Sequence, residues 1–221
     1  MIKLETIEFA QNLISYLVVY FPTVAIAGYF ESWIAKKLGD STAQDAGYLT
    51  LNPLIHMDPI GLAILVIPPH FGFGSRIPLN PSNISRKFEK IKLFLMYFAR
   101  TIAHLFLTIF ALFLLILIQT KFIGNLDTLI SNISPFLFSV ILVVTALINL
   151  NILSFVVYFI IGLLRLFIHF FLPDLENRSP LVNFMIFLFP FLFILVLGPY
   201  IEYVLRLFLL KINFLFGFLL K

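Results

Sequence analysis

"LTLNPLIHMDPIG" (49–61) is the stretch on which the reading of this chain turns. It sets an Asn, a His, an Asp, two Pro and a terminal Gly between long apolar runs. Polar groups are costly in lipid or in a core unless they are hydrogen-bonded, so they serve either chemistry or a frame that satisfies them. Asp58 before Pro59 has the form of a helix start, where a carboxylate accepts orphan N–H groups and proline lacks only a donor the helix does not use. His56 reads as a residue satisfying backbone groups at an interface, with contact to a bound strand as the alternative. Asn52 and Asn80 close two similar segments, "GYLTLNP" (47–53) and "SRIPLNP" (75–81). A residue before proline is biased to extended conformations, so residues 48–52 and 75–80 are expected to pair as a small interfacial β element.

The chain around this stretch is apolar. Of its 221 residues 61% are hydrophobic, 12% are charged and 28 are Phe. A water-soluble domain has no use for so much apolar surface, and an all-α membrane protein in contact with the lipid bilayer is expected. The lack of cysteine excludes a disulfide frame, a thiolate metal site and a Cys nucleophile. A net charge of +4, held in loops, fits membrane orientation rather than a nucleic-acid partner.

Uncharged runs mark the spans, since one crossing needs about 20 apolar residues. Residues 9–30, 101–120 and 179–201 are three such runs, the first containing Pro22, where a kink is expected. The run 128–164 is 37 residues long and reads as a crossing followed by a second, partial insertion. The piece 59–75 is broken by Pro68, Pro69 and Gly and reads as re-entrant. Four crossings and up to six membrane insertions result. "AIAG" (25–28) has the look of a signal-peptidase site, but Glu5 and Glu8 precede it, the wrong charge for a signal, so a retained helix is expected. Lys36 and Lys37, with Arg76, Arg86, Lys87, Lys90 and Lys92, predict that loops 36–48 and 74–92 share the cytoplasmic side, with the N-terminus and the 121–128 loop outside.

Four stretches resemble the site-2 proteases, intramembrane zinc metalloproteases, in their compact bacterial-type branch. "KKLGDSTAQDAGYLTLNPLIHMDPIG" (36–61) is similar to that family's long block built on Gly-Asp-x-Thr-Ala and Leu-Thr-Leu-Asn-Pro-x-x-His-x-Asp-Pro-x-Gly. "FGFGSRIPLNPSN" (71–83) resembles its Val-Asn-Pro strand, "FARTIAHLFLTIFALFL" (98–114) a helix that usually opens Ala-Gly-Pro-x-x-Asn, and "INLNILSF" (148–155) the start of the helix ending in Asp-Gly. The resemblance implies a site-2-protease-like helical bundle over about 13–173 within one integral-membrane domain, 1–221, with an extra C-terminal transmembrane helix near 180–210. It also implies recognition of a transmembrane or extended protein segment.

The same resemblance locates the family's chemistry, and there this sequence departs from it. His-Glu-x-x-His holds zinc with two His on one helix face while the Glu activates water. Counted back from Gly39-Asp40, those places carry Ala27, Gly28 and Glu31, and the third ligand falls on Leu163 or Leu164. Arg100, Thr101 and His104 replace the Gly, Pro and Asn of the next motif. None of the four histidines stands three or four residues from another. The expectation is a catalytically inactive homologue without a cofactor, bound to a membrane-protein partner or a larger membrane complex; zinc enters only under the alternative of an active intramembrane endopeptidase.

Asn52, His56, Asp58 and Asn80 are the candidate partner-facing residues. Glu31, Arg100 and His104 form the candidate intramembrane polar cluster, because ionisable groups at such depth are paired or functional by default. Two placements of Arg100 are open: snorkelling to the basic loop, or pairing with Glu31 in the space zinc would hold. Arg165 reads as a membrane-edge residue, and Gln11, Asn12, Asn149 and Asn151 as cross-helix hydrogen-bonding groups.

Overall fold

The structure, a computed structural model, describes residues 4–67, 70–123 and 134–172, with most positions between 184 and 207. Helix α1 (Leu4–Leu38) continues through Pro22 as one helix. Three short helices follow, α2 (Thr42–Asp45), α3 (Pro53–His56) and α4 (Pro59–Leu65). A 3-10 turn at Pro81–Asn83 leads into α5 (Glu89–Ile118), and α6 spans Pro135–Phe171.

Three of these helices, α1, α5 and α6, are long and apolar enough to cross a membrane. Three such spans among the described residues, rather than four, fit an all-α membrane protein. The C-terminal span expected near 180–210 lies partly outside the described residues; those described between 184 and 207 are helical, and Ile186 and Ile194 are buried beside Leu153, Val157 and Ile161 of α6. From Pro135 onward the long uncharged run, expected to be a crossing followed by a second insertion, shows no break between two segments. It belongs to one helix of 37 residues, uninterrupted because its polar members, Asn149 and Asn151, find partners on the neighbouring helices and no proline follows Pro135 within it.

The three long helices meet around small and polar residues. Helices α5 and α6 share the most extensive contact, and α1 lies across both. Tyr16, Val19, Tyr20 and Val24 of α1 pack on Ala146 and Leu150 of α6 and on Leu65 of α4. Ala111 and Leu115 of α5 pack on Val144 and Ile148 of α6. Large residues such as Phe106, Ile109, Phe110 and Phe113 point outward. In a soluble domain that surface would be a liability; on a spanning helix it is what lipid covers.

The expected β element does not form. No strand occurs among the described residues, and the isolated antiparallel bridge found among them, Met57 to Gly74, lies just outside both segments. The cause lies in the Asn-Pro pairs themselves. Asn52 accepts the N–H of Leu54 and Pro53 occupies the first helical position, so "LTLNP" opens α3 rather than closing a strand. Asn80 accepts from Ser82 and Pro81 opens the 3-10 turn. The expectation of an extended residue before proline holds for Asn52 and Asn80, but both act as helix caps.

The piece after Asp58 turns back so that Gly61 lies against Phe73. Helix α4 has seven residues, about 10 Å at 1.5 Å per residue, too short to cross. Tyr20 of α1 holds both arms of this turn: its hydroxyl donates to the Phe73 carbonyl at 2.9 Å and accepts from the Asp58 N–H at 3.4 Å. Gly61 is obligatory here, since a Cβ would collide with the Phe73 carbonyl.

Candidate functional site

Each long helix turns one polar stripe inward. On α1 the buried residues Tyr20, Thr23, Ala27 and Glu31 recur at three- to four-residue steps. On α5 the stripe is Tyr97, Arg100, His104 and Thr108. On α6 it is Asn151, Tyr158 and Arg165, seven residues apart. These spacings keep each set on one helix face, so three stripes meet on one line through the bundle.

Glu31 and Arg100 form the centre. Arg100 Nε lies 2.6 Å from Glu31 Oε2, and both side chains are almost fully buried. The Nε–H does not aim along that line, so the contact is an ion pair without an aligned hydrogen bond at those two atoms. The rest of the guanidinium is well held: one Nη donates to Tyr158 Oη at 2.9 Å and the other to the Ser75 carbonyl at 3.0 Å. The guanidinium also stands over the Tyr158 ring, 4.9 Å from its centroid. Arg165 completes the group, 4.0 Å from Glu31 Oε1 and 6.0 Å above the Tyr97 ring. Arg100 therefore does not snorkel to the headgroups, and Arg165, expected at the membrane edge, leans toward the ion pair. Desolvating a charge pair in this way is tolerable only when the remaining donors and acceptors are also met.

His104 sits one turn beyond Arg100 and does not touch the pair. Its Nδ1 lies 2.8 Å from Asn151 Oδ1 and its ring stacks on Tyr158 at 5.3 Å. Asn151 also donates to the Leu147 carbonyl and reaches Thr23. Asn149 donates to Tyr16 Oη at 3.3 Å. The two asparagines bond across helices as expected, whereas Gln11 and Asn12 stand exposed on α1.

The residues at the expected zinc positions have the following surroundings. Ala27 is buried with no room for a water molecule between it, Arg100 and His104. Gly28 faces His56 Nδ1, and Leu164 packs into the apolar cluster around Leu153 and Ile161 while Leu163 points outward. Glu31 is the one ligand-type side chain among them, and Arg100 engages it. Among the described residues no group of three or more His, Asp or Glu could hold a metal ion.

The polar loop residues serve the frame. Asp40 is fully buried and accepts from Thr42 N and Oγ1, Asn80 N and Asn83 Nδ2, tying the end of α1 to the 80–83 turn. Burial alone raises its pKa, but the hydrogen bonds from Thr42, Asn80 and Asn83 outweigh it and hold the carboxyl below the usual carboxylate range. Asp58 caps α4 through Ile60 N and Gly61 N, both at 2.9 Å. His56 is buried with Nε2 2.7 Å from the Thr50 carbonyl, which fixes the proton on Nε2 and leaves Nδ1 as a lone pair with no hydrogen-bond partner. Burial pushes the imidazole below its usual pKa. Of the four partner-facing candidates, Asn52 and Asn80 are exposed, Asp58 is half-buried and His56 is enclosed.

The sequence reading missed Tyr158, Arg165 as an inward group and the Ser75 carbonyl. The seven-residue step from Asn151 to Tyr158 to Arg165 is the signal that marks the first two. No pattern marks a backbone carbonyl in a loop.

Comparison with known proteins gives one relative of use. A protein of Bacillus subtilis (strain 168) named "Putative zinc metalloprotease YwhC" is 37% identical over 109 residues, 48% of this chain and 46% of that protein. The matched stretch thus spans about half the length of that relative. No family model matches the chain and no solved structure does.

Proposed function

We propose that the chain is a non-catalytic homologue of the site-2 proteases that binds a transmembrane or extended protein segment without cutting it, as a chaperone, a regulator or a subunit of a membrane complex. The observation that carries this reading is the Glu31–Arg100 ion pair, closed by Tyr158 and the Ser75 carbonyl, at the place where the resemblance puts zinc. A guanidinium there repels a cation and consumes the one carboxylate available to ligate it. The 37% identity to a relative named as a zinc metalloprotease supports the family side of the reading. The chain is multi-pass in this proposal, with loops 36–48 and 74–92 on the cytoplasmic side.

The partner would lie along residues 74–79, which run outside any helix, with the Ser75 carbonyl on Arg100 and Arg76 exposed. A strand added there gains main-chain hydrogen bonds without new chemistry, with Asn80 at one end and Asp58, next to the Met57–Gly74 bridge, near the other. The rival reading, an active intramembrane zinc endopeptidase, has the relative's name in its favour; against it, no group of three His, Asp or Glu gathers among the described residues. Metal analysis of the purified protein, with a cleavage assay on a single-span substrate, separates the two. Substoichiometric zinc and an uncut substrate that nevertheless co-purifies are expected; stoichiometric zinc with chelator-sensitive cleavage ends the proposal.

A further inference from the structure

Six cations gather at one end of the bundle. Lys36 and Lys37 close α1, while Arg86, Lys87, Lys90 and Lys92 flank the start of α5. Ala35 and Leu38 pack on Ile84, Leu93, Met96 and Tyr97, which brings the two groups to the same end. The buried Asp40 locks that arrangement through Asn80 and Asn83. Its carboxylate is spent on those bonds and Asp45 accepts from Ser41, leaving Glu89 as the acidic side chain within 85–92.

Apolar side chains stand among these cations rather than beneath them. Phe88 is 66% exposed, Ile91 60% and Phe94 47%. Lys87 Nζ lies 5.8 Å above the Phe88 ring, and Lys37 Nζ 5.8 Å above the Trp33 ring. Phe88 also breaks a local rule. It occupies the N-cap of α5 at φ 60 and ψ 33 with no side-chain cap. That left-handed conformation disfavours a bulky side chain, and Ser, Asp, Asn or Gly is the usual choice. Rules of this kind are broken where function compensates.

We propose that this collar binds anionic phospholipid of the adjoining leaflet. The cations take the phosphates, and the Phe88 ring inserts at the headgroup boundary, where its burial offsets the backbone strain. The long apolar helices by themselves accept any bilayer of suitable thickness; the collar adds a choice among lipids, because each surface Lys or Arg is drawn to a negative leaflet. The inference is independent of whether the ion pair replaces a metal.

The test titrates the full chain, purified in detergent, with phosphatidylglycerol or phosphatidylcholine and counts retained lipid by native mass spectrometry. Phosphatidylglycerol should be retained in about tenfold preference, and the preference should fade in high salt. Arg86→Gln with Lys87→Gln and Lys90→Gln, all at exposed positions, should remove it while leaving the melting temperature in detergent unchanged. Phe88→Gly should melt higher in detergent yet retain less phosphatidylglycerol. Equal retention of both lipids, an undiminished preference in the triple variant, or full displacement by soluble glycerol phosphate overturns the proposal.

Discussion

Gly28 packs its Cα against the imidazole of His56, so that a Cβ at position 28 would fall well inside the 3.0 Å that real Cβ atoms keep, on top of Nδ1. His56 has little freedom to retreat, because Nε2 is tied to the Thr50 carbonyl and the ring is buried. Gly28→Ala should therefore destabilise the fold by about 1–3 kcal/mol through overpacking. His56→Ala should rescue it in part, with a coupling energy of at least about 0.5 kcal/mol in a double-mutant cycle read by denaturant unfolding in detergent. Additive effects would mean that the two residues do not touch.

The ion pair makes a separate forecast. Arg100→Met leaves the Glu31 carboxylate buried with only the distant Arg165 contact. Removing one partner of a buried pair costs about 3–5 kcal/mol. The double variant Glu31→Gln with Arg100→Met should recover most of that loss, since two neutral side chains need no compensating charge. A double variant as unstable as Arg100→Met alone would show that the Tyr158 and Ser75 contacts, not the charge pair, hold the junction.

Replacing Asn151 with Leu tests the cross-helix bonds. The substitution deletes the contacts to His104 and Thr23 together with the bond to the Leu147 carbonyl. Hydrogen bonds between helices in lipid are worth about 0.6 kcal/mol on average and up to about 1.7, and a loss within that range is expected. A gain in stability on the same unfolding assay would contradict the assignment.

Acid should weaken the protein in two steps. His56 has a folded-state pKa below its ordinary value, so the unfolded chain takes the proton first. Its stabilising contribution is complete above about pH 6.5 and is lost as pH falls through the lowered value. Asp40 is likewise lowered; its contribution is complete above about pH 4 and is lost below that. His56→Gln should flatten the first step and Asp40→Asn the second, as read from melting temperature against pH.

Much of this architecture was legible in the sequence because lipid leaves few options. A backbone in hydrocarbon must satisfy its own hydrogen bonds, so long uncharged runs become helices whatever else they do, and α1, α5 and α6 followed. Caps are equally local: Asp58 before Pro59 needs only its next few N–H groups, and it forms the cap expected of it. The local reading failed where one signal serves two structures. Asn-Pro reads as the end of an extended segment, yet the same Asn accepts the N–H two residues ahead and starts a turn.

Composition and spacing by themselves determined the helical class, three of the four expected apolar spans, the Asp58 cap and the absence of a His-Glu-x-x-His pattern. Tertiary structure alone decided which charges meet. Arg100 had two outlets of comparable merit, the headgroups or Glu31, and its choice depends on Tyr158 and the Ser75 carbonyl arriving from α6 and the loop to complete the guanidinium's hydrogen bonds. Likewise nothing near Gly28 in the chain demands a glycine; the demand comes from His56, folded back over α1. Local patterns follow from the backbone's own geometry, whereas the pairing of buried polar groups depends on which surfaces the packed helices bring face to face.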